Sequence, residues 1–268
     1  MNLLDSLQRN QGTMFNIDRD LKGSALRRCS ILLILLAMVG GCAARPKGGD
    51  KLPDVTPPTV TVPTPTIAAP SRYLALGDSY TIGESVAVAD RWPNQLARGI
   101  RSQGIEIGDP EIIARTGWTT DELSAAIDSA NPRGPYGLVT LLIGVNNQFR
   151  GRDAEQYRRE FTALLDRAVA FAGGNPQHVI VVSIPDWGVT PFAEGRDRSK
   201  IGREIDRFNA IARQETLRVK ARFVDITLAS REASSDHSLV AGDGLHPSAA
   251  MYARWINLIA PEAAAALR

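Results

Sequence analysis

Ser79 stands where chemistry is done. It follows the apolar run Tyr73-Leu74-Ala75-Leu76 and the pair Gly77-Asp78, which reads as a buried strand breaking into a polar turn. A serine there can act as a nucleophile when a base, an orienting carboxylate and oxyanion donors meet it. The same turn also reads as a helix start, with Asp78 or Ser79 as the cap. Three further blocks favour chemistry. Asp243-Gly244-Leu245-His246-Pro247 sets a carboxylate and an imidazole three residues apart. Asn146, in Gly144-Val145-Asn146-Asn147, carries an amide that can donate to a developing oxyanion. Gly117, in Arg115-Thr116-Gly117-Trp118, has no side chain to keep a backbone N–H away from a ligand. These are the parts that acyl transfer requires.

The segments between these blocks must position them. Strand-like runs lie at 73–76, Glu111–Ala114, Leu138–Ile143, Val179–Ile184 and Ala221–Ile226. Helical spacing marks Arg91–Ser102, a segment capped by Thr119 or Thr120 with Glu122 in its first turn, Asp153–Phe171, Ser199–Val219 and Ser248–Leu267. Continuous apolar strands separated by helices indicate a parallel sheet covered on both faces. Five strands in this length predict an α/β fold: a single three-layer domain over 71–268, with flavodoxin-like topology and right-handed crossovers. Ligands of such sheets sit at the carboxyl ends of the strands, and all four blocks fall there.

Taken together, Gly77-Asp78-Ser79, Gly117, Gly144-Val145-Asn146-Asn147 and Asp243-Gly244-Leu245-His246 resemble the SGNH (GDSL-type) hydrolases, serine esterases and lipases of flavodoxin-like fold. The blocks occur in the family's order and span Gly77 to His246. Tyr80 stands where the eponymous motif has leucine. The resemblance implies a nucleophilic Ser79, a His246 base and an Asp243 that holds the imidazole. It implies an oxyanion hole made by the Ser79 and Gly117 N–H groups and the Asn146 amide. The general α/β-hydrolase pattern fits poorly, because Gly77-x-Ser79-x-Thr81 lacks the second glycine of a nucleophile elbow. Asp78 is expected to anchor its own loop. Asn147, Gln148, Asp186 and Trp187 sit on adjacent loops as candidate pocket residues, and His178 and His237 are expected to be structural or solvated. No metal-ligand spacing, Walker loop or dinucleotide fingerprint occurs in the sequence, so no metal and no cofactor are expected.

Composition agrees with a globular enzyme: 44% of residues are hydrophobic and 22% charged. The net charge of +2 carries no nucleic-acid footprint. Without residues 1–41 the two signs balance. Arg27-Arg28 precede the apolar run Ile31–Val39 and Gly40-Gly41-Cys42, the layout of a secretory signal. Val39-Gly40-Gly41-Cys42 resembles a bacterial lipobox, which implies lipidation of Cys42 after removal of 1–41. The other cysteine, Cys29, would leave with the signal, and Met14 is an alternative start. Seven prolines between positions 46 and 70 favour extended backbone over a packed core. Residues 42–70 therefore read as a stalk.

The expectation is a lipid-anchored serine esterase of the bacterial cell envelope, outside the cytoplasm, acting on a small-molecule, glycan or lipid ester. Small-acyl or carbohydrate deacetylation is preferred because no long apolar lid segment stands out. Thioesterase, lysophospholipase and a non-catalytic envelope-binding lipoprotein are the alternatives. Replacing Cys42 with Ser should release the protein from the membrane fraction and abolish lipid labelling. Unchanged membrane association would point to an uncleaved apolar anchor.

Overall fold

The apolar runs become the strands of one parallel sheet. A computed structural model describes residues 70–268. The expected signal over 1–41, the lipidation site Cys42 and the stalk as far as residue 69 lie outside the described residues. In chain order the elements are β1 (Ser71–Asp78), α1 (Ser79–Ile82), α2 (Trp92–Arg101), β2 (Ile107–Arg115), α3 (Thr120–Ala130), β3 (Leu138–Leu142) and α4 (Val145–Phe149). They continue with α5 (Ala154–Phe171), β4 (Val179–Val182), α6 (Arg198–Arg218), β5 (Arg222–Val224), α7 (Thr227–Arg231) and α8 (Ala249–Leu267). The sheet order is β2-β1-β3-β4-β5, and every pairing is parallel.

The strand that leads into Ser79 is interior to the sheet. Leu76 pairs with Ile113 of β2 on one side and Leu141 of β3 on the other. β1 from Tyr73 onward, and all of β3 and β4, are buried. That burial explains their unbroken apolar sequences. β2 is longer than the apolar run Glu111–Ala114 suggested. It is an edge strand in which buried residues are interspersed with exposed ones such as Asp109 and Glu111, so only its middle carries an apolar signal. Its Pro110 is tolerated for the same reason. α4 was not expected as a helix: five residues are too few for a 3.6-residue period to show.

The helix ends follow local chemistry. Thr119 and Glu122 form a capping box at α3. Asp153 caps α5 by accepting from the Glu155 and Gln156 amides. Around the sheet, α2 packs on α8, while α5 packs against α3 and α6. Trp92, Trp255, Tyr157 and Tyr252 are fully buried in the core. The Tyr252 hydroxyl donates to the Tyr80 carbonyl at 3.0 Å, tying α8 to the turn that carries Ser79.

Gly77 has no room for a side chain. A Cβ there would lie 2.1 Å from Thr81 Oγ1 and 2.6 Å from the Leu142 carbonyl oxygen. The threonine could rotate, but the carbonyl belongs to the neighbouring strand and cannot move alone. Gly77→Ala should therefore destabilise the fold by about 1–3 kcal/mol through overpacking, measured by urea unfolding. A loss below about 0.5 kcal/mol, the range of ordinary surface substitutions, would show that the β1–β3 pair yields at this point.

Candidate active site

Both readings of the turn after β1 hold. Asp78 is the N-cap of α1, and its Oδ1 accepts from the Tyr80 amide at 3.0 Å. Ser79 is the first residue of that helix, placed at the carboxyl end of an interior strand. The Asp78 side chain is fully buried. Burial pushes its carboxyl up to about 7, against the opposing bonds from the Tyr80 amide and Asn146. Asp78 thus anchors its own loop, as its position suggested.

The Asp243–His246 block forms a short-range pair. Asp243 Oδ2 lies 2.6 Å from His246 Nδ1, so Nδ1–H donates and Nε2 keeps the lone pair of a base. Oδ1 of the same carboxylate accepts the Leu245 and His246 amides, both at 2.9 Å. The Ser85 hydroxyl adds a fourth bond, to Oδ2 at 2.6 Å. Partial burial opposes the Asp243 charge, but the bonds from His246, Ser85 and the two amides outweigh it. They hold the carboxyl well below the usual carboxylate range. His246 is buried, with its ring 5.1 Å from the Tyr80 ring. Ser79 and His246 are not hydrogen-bonded to each other in this geometry, and such bonds commonly tighten only around substrate.

The oxyanion candidates come from the loops after β2 and β3. Asn146 lies on α4, and its Nδ2 donates to the Trp118 carbonyl at 3.0 Å and to Asp78 Oδ2 at 3.4 Å. One side chain thus links the loops after β1, β2 and β3. Gly117 has φ 84°, and a Cβ would meet only Arg150 Nη2 at an ordinary 3.5 Å. The backbone angle, not a lack of space, is what calls for glycine there. Glu84 accepts from the Thr116 hydroxyl, which braces the Gly117 loop against the turn after α1.

Asn147 does not line a pocket, which corrects the expectation from its place in the sequence. It is fully buried; its Oδ1 accepts the Thr120 amide and its Nδ2 donates to the Thr120 hydroxyl. Both ends of its amide are used to hold α3. Asp186 and Trp187 do line a small, half-open cavity, together with Tyr80, Leu239, His246 and Met251. Ser79 is not in that lining, so the cavity adjoins His246 and not Ser79. Asp186 caps the Trp187 turn through the Gly188 amide and pairs with Arg231 at 2.9 Å.

Trp187 joins Phe149 and Phe192 in an aromatic cluster, its ring centroids 5.4 and 6.0 Å from theirs, and its indole donates to Gln148. The Arg196 guanidinium lies 5.3–5.4 Å from all three rings. Phe149 ends the helix that carries Asn146, and the Phe192 amide donates to the Gly244 carbonyl at 3.0 Å. The cluster therefore bridges the helix that carries Asn146 and the Asp243–His246 loop. His178 precedes β4 at the opposite edge of the sheet, and His237 is exposed. Ser85 and the Glu84–Thr116 brace were not singled out from sequence, and Tyr80 was noted only as a departure from a motif, since nothing in their spacing announces partners so distant in the chain.

Residues 75–254 match the family described as GDSL-like Lipase/Acylhydrolase family. No curated protein matches the sequence. Among solved structures, TesA is 18% identical with a TM-score of 0.58, covering 74% of this chain and 100% of that one. The lipase/acylhydrolase from Enterococcus faecalis is 20% identical with a TM-score of 0.57, covering 74% and 97%. Axe2, an acetylxylan esterase from Geobacillus stearothermophilus, is 19% identical with a TM-score of 0.54, covering 73% and 94%. At these identities the likeness is one of fold.

The buried Asp78 makes a prediction about pH. Its raised value means that the folded chain keeps a proton which the unfolded chain releases between about pH 4 and 7. Its contribution to stability therefore falls as pH rises through that window. Asp78→Asn keeps a capping side chain without the ionisation. The stability difference between the variant and the parent should shift in the variant's favour from pH 5 to pH 8, measured by urea unfolding at both. A difference independent of pH would show that Asp78 does not titrate in this range.

Proposed function

Taking as its premise that the chain belongs to the GDSL-like lipase/acylhydrolase family and is an ester-bond hydrolase, we propose that it cleaves short-chain carboxylic esters through an acyl-enzyme on Ser79. The observation that carries this reading is the Asp243–His246 pair, whose 2.6 Å bond leaves Nε2 free to act as a base. Ser79 Oγ attacks the ester carbonyl while His246 Nε2 takes its proton, and Asp243 stabilises the imidazolium. The oxyanion accepts from the Ser79 and Gly117 N–H groups and from Asn146. The weaker of the Asn146 bonds, to Asp78 at 3.4 Å, is the one an oxyanion would displace. Collapse of the tetrahedral adduct breaks the ester C–O bond, and the imidazolium protonates the departing alcohol. Water then repeats the sequence on the acyl-serine and releases the acid.

Two features support a small acyl group on a carbohydrate or similar alcohol. The exposed large apolar side chains among the described residues, Val88, Leu217, Leu228 and Leu258, lie on four separate elements, so no one segment presents a continuous apolar run to a long chain. The half-buried rings of Phe149 and Phe192, backed by the buried Trp187 and bridging the two catalytic loops, offer an aromatic edge against which a sugar ring can pack. The acetylxylan esterase of the same fold acts on an alcohol of that kind. Within this proposal the domain works outside the cytoplasm, held to a bacterial membrane through Cys42.

A fluorophosphonate should label the parent at Ser79, and Ser79→Ala should abolish both labelling and ester hydrolysis. Among p-nitrophenyl esters of graded length, acetate should be the best substrate; a rise in kcat/KM toward long chains would contradict the acyl assignment. Asn146→Ala should lower kcat roughly 10²–10³-fold with KM little changed, as removal of one oxyanion donor does. A raised KM at constant kcat would make Asn146 a ground-state contact instead.

A further inference from the structure

Of the four hydrogen bonds that hold the Asp243 carboxylate, three come from its own loop: the His246 imidazole and the Leu245 and His246 amides. Those three fix the carboxylate relative to the histidine. They do not fix the pair relative to the nucleophile. The fourth bond, from Ser85 Oγ to Oδ2 at 2.6 Å, spans 158 residues of chain. Ser85 is exposed, but its backbone neighbours tie it to the turn that begins at Ser79. The Gly83 and Glu84 amides both donate to the Ser79 carbonyl, closing the turn between the nucleophile and Ser85. Ser85 also holds φ 65°, a left-handed conformation that is uncommon for a residue other than glycine. The strain is consistent with a hydroxyl aimed by its surroundings.

We infer that Ser85 is a positioning residue for the hydrolysis proposed above: its hydroxyl registers the Asp243–His246 pair on the segment that carries Ser79. It touches no substrate and acts through Asp243. Its bond shares Oδ2 with His246 Nδ1–H, so it also tempers the pull of the carboxylate on the imidazole. The other titratable groups near the imidazole are Tyr80, whose ring packs on it, and Asp186 across the adjoining cavity. Neither contacts Oδ2. Loss of the Ser85 bond should therefore have two effects. The base is held less closely to Ser79, which lowers kcat. The carboxylate concentrates its charge on His246, which moves the acid limb of activity to higher pH.

The test compares Ser85→Ala and Ser85→Gly in the full chain, on p-nitrophenyl acetate. Both lack the hydroxyl, but glycine relieves the left-handed strain while alanine keeps it. Each should lose about 10- to 100-fold in kcat, the scale of small misplacements at a reacting centre, with KM little changed. Each should shift the acid limb of the kcat/KM profile upward by several tenths of a pH unit. Ser85→Gly should be as impaired as Ser85→Ala even where its melting temperature equals or exceeds that of the parent. Full activity and an unmoved acid limb in the folded variants would overturn the inference. So would activity losses that follow melting temperature with no change of pH profile. If the parent itself neither labels at Ser79 nor hydrolyses any ester, the esterase reading fails and the inference fails with it. A labelled, active parent with indifferent Ser85 variants refutes the positioning role alone.

Discussion

A carboxylate buried at the end of an interior strand constrains everything around it. Asp78 is out of contact with water, and a polar group so placed must find hydrogen-bond donors inside the protein. The structure supplies them from two directions. The first turn of α1 offers the Tyr80 amide, and α4 offers the Asn146 side chain. To satisfy Asp78, the chain must start a helix at Ser79 and bring the loop after β3 across to the loop after β1. The Ser79 turn and the Asn146 side chain thus meet as a consequence of satisfying one acid.

The same logic extends outward in a series of cross-braces between loops. Asn146 holds the Trp118 carbonyl, Asn147 holds Thr120, Glu84 takes the Thr116 hydroxyl and Tyr252 holds the Tyr80 carbonyl. Each such bond contributes only about 1 kcal/mol net, so no single one stabilises the fold decisively. Their value lies in geometry. A parallel sheet places its strand ends within reach of one another but leaves the loops free to differ, and side-chain bonds from one loop to the next remove that freedom. Asp243 shows the pattern most fully, with four bonds on its two oxygens and one of them from a distant turn.

Asp186 shows how a residue in the cavity wall can be held by structural bonds. It follows β4 at the same edge of the sheet and faces the cavity beside His246. Its oxygens, however, are taken by the Gly188 amide and by Arg231, which also pairs with Asp206 at 2.7 Å. A carboxylate bonded in this way shapes the wall and keeps Trp187 in place. The buried tryptophan then packs against Phe149 and Phe192 from the loops on either side, with Arg196 over the three rings.

Much of this was legible in the residues. The strands read as apolar runs because interior parallel strands are buried on both faces, and the helices β-strand by β-strand between them read from their period. Gly77-Asp78-Ser79, Gly117, Asn146 and Asp243-Gly244-Leu245-His246 declared themselves as a set, because blocks that are weak singly occur in one order at the strand ends. The full length of β2 was hidden by its exposed edge residues, and α4 was too short to show a period. Ser85 and Glu84 were silent for a different reason. A serine and a glutamate in a polar turn are compatible with many partners, and the bonds that distinguish them join residues 158 and 32 positions apart in the chain. Asn147 looked like a neighbour of the site until its amide proved to be used up inside the fold. The sequence by itself determined the sheet, the helices and the chemical groups, because local pattern and residue type follow from burial and reactivity. Only the tertiary structure decided which of those groups face one another, because hydrogen bonding between loops depends on distances that no local pattern encodes.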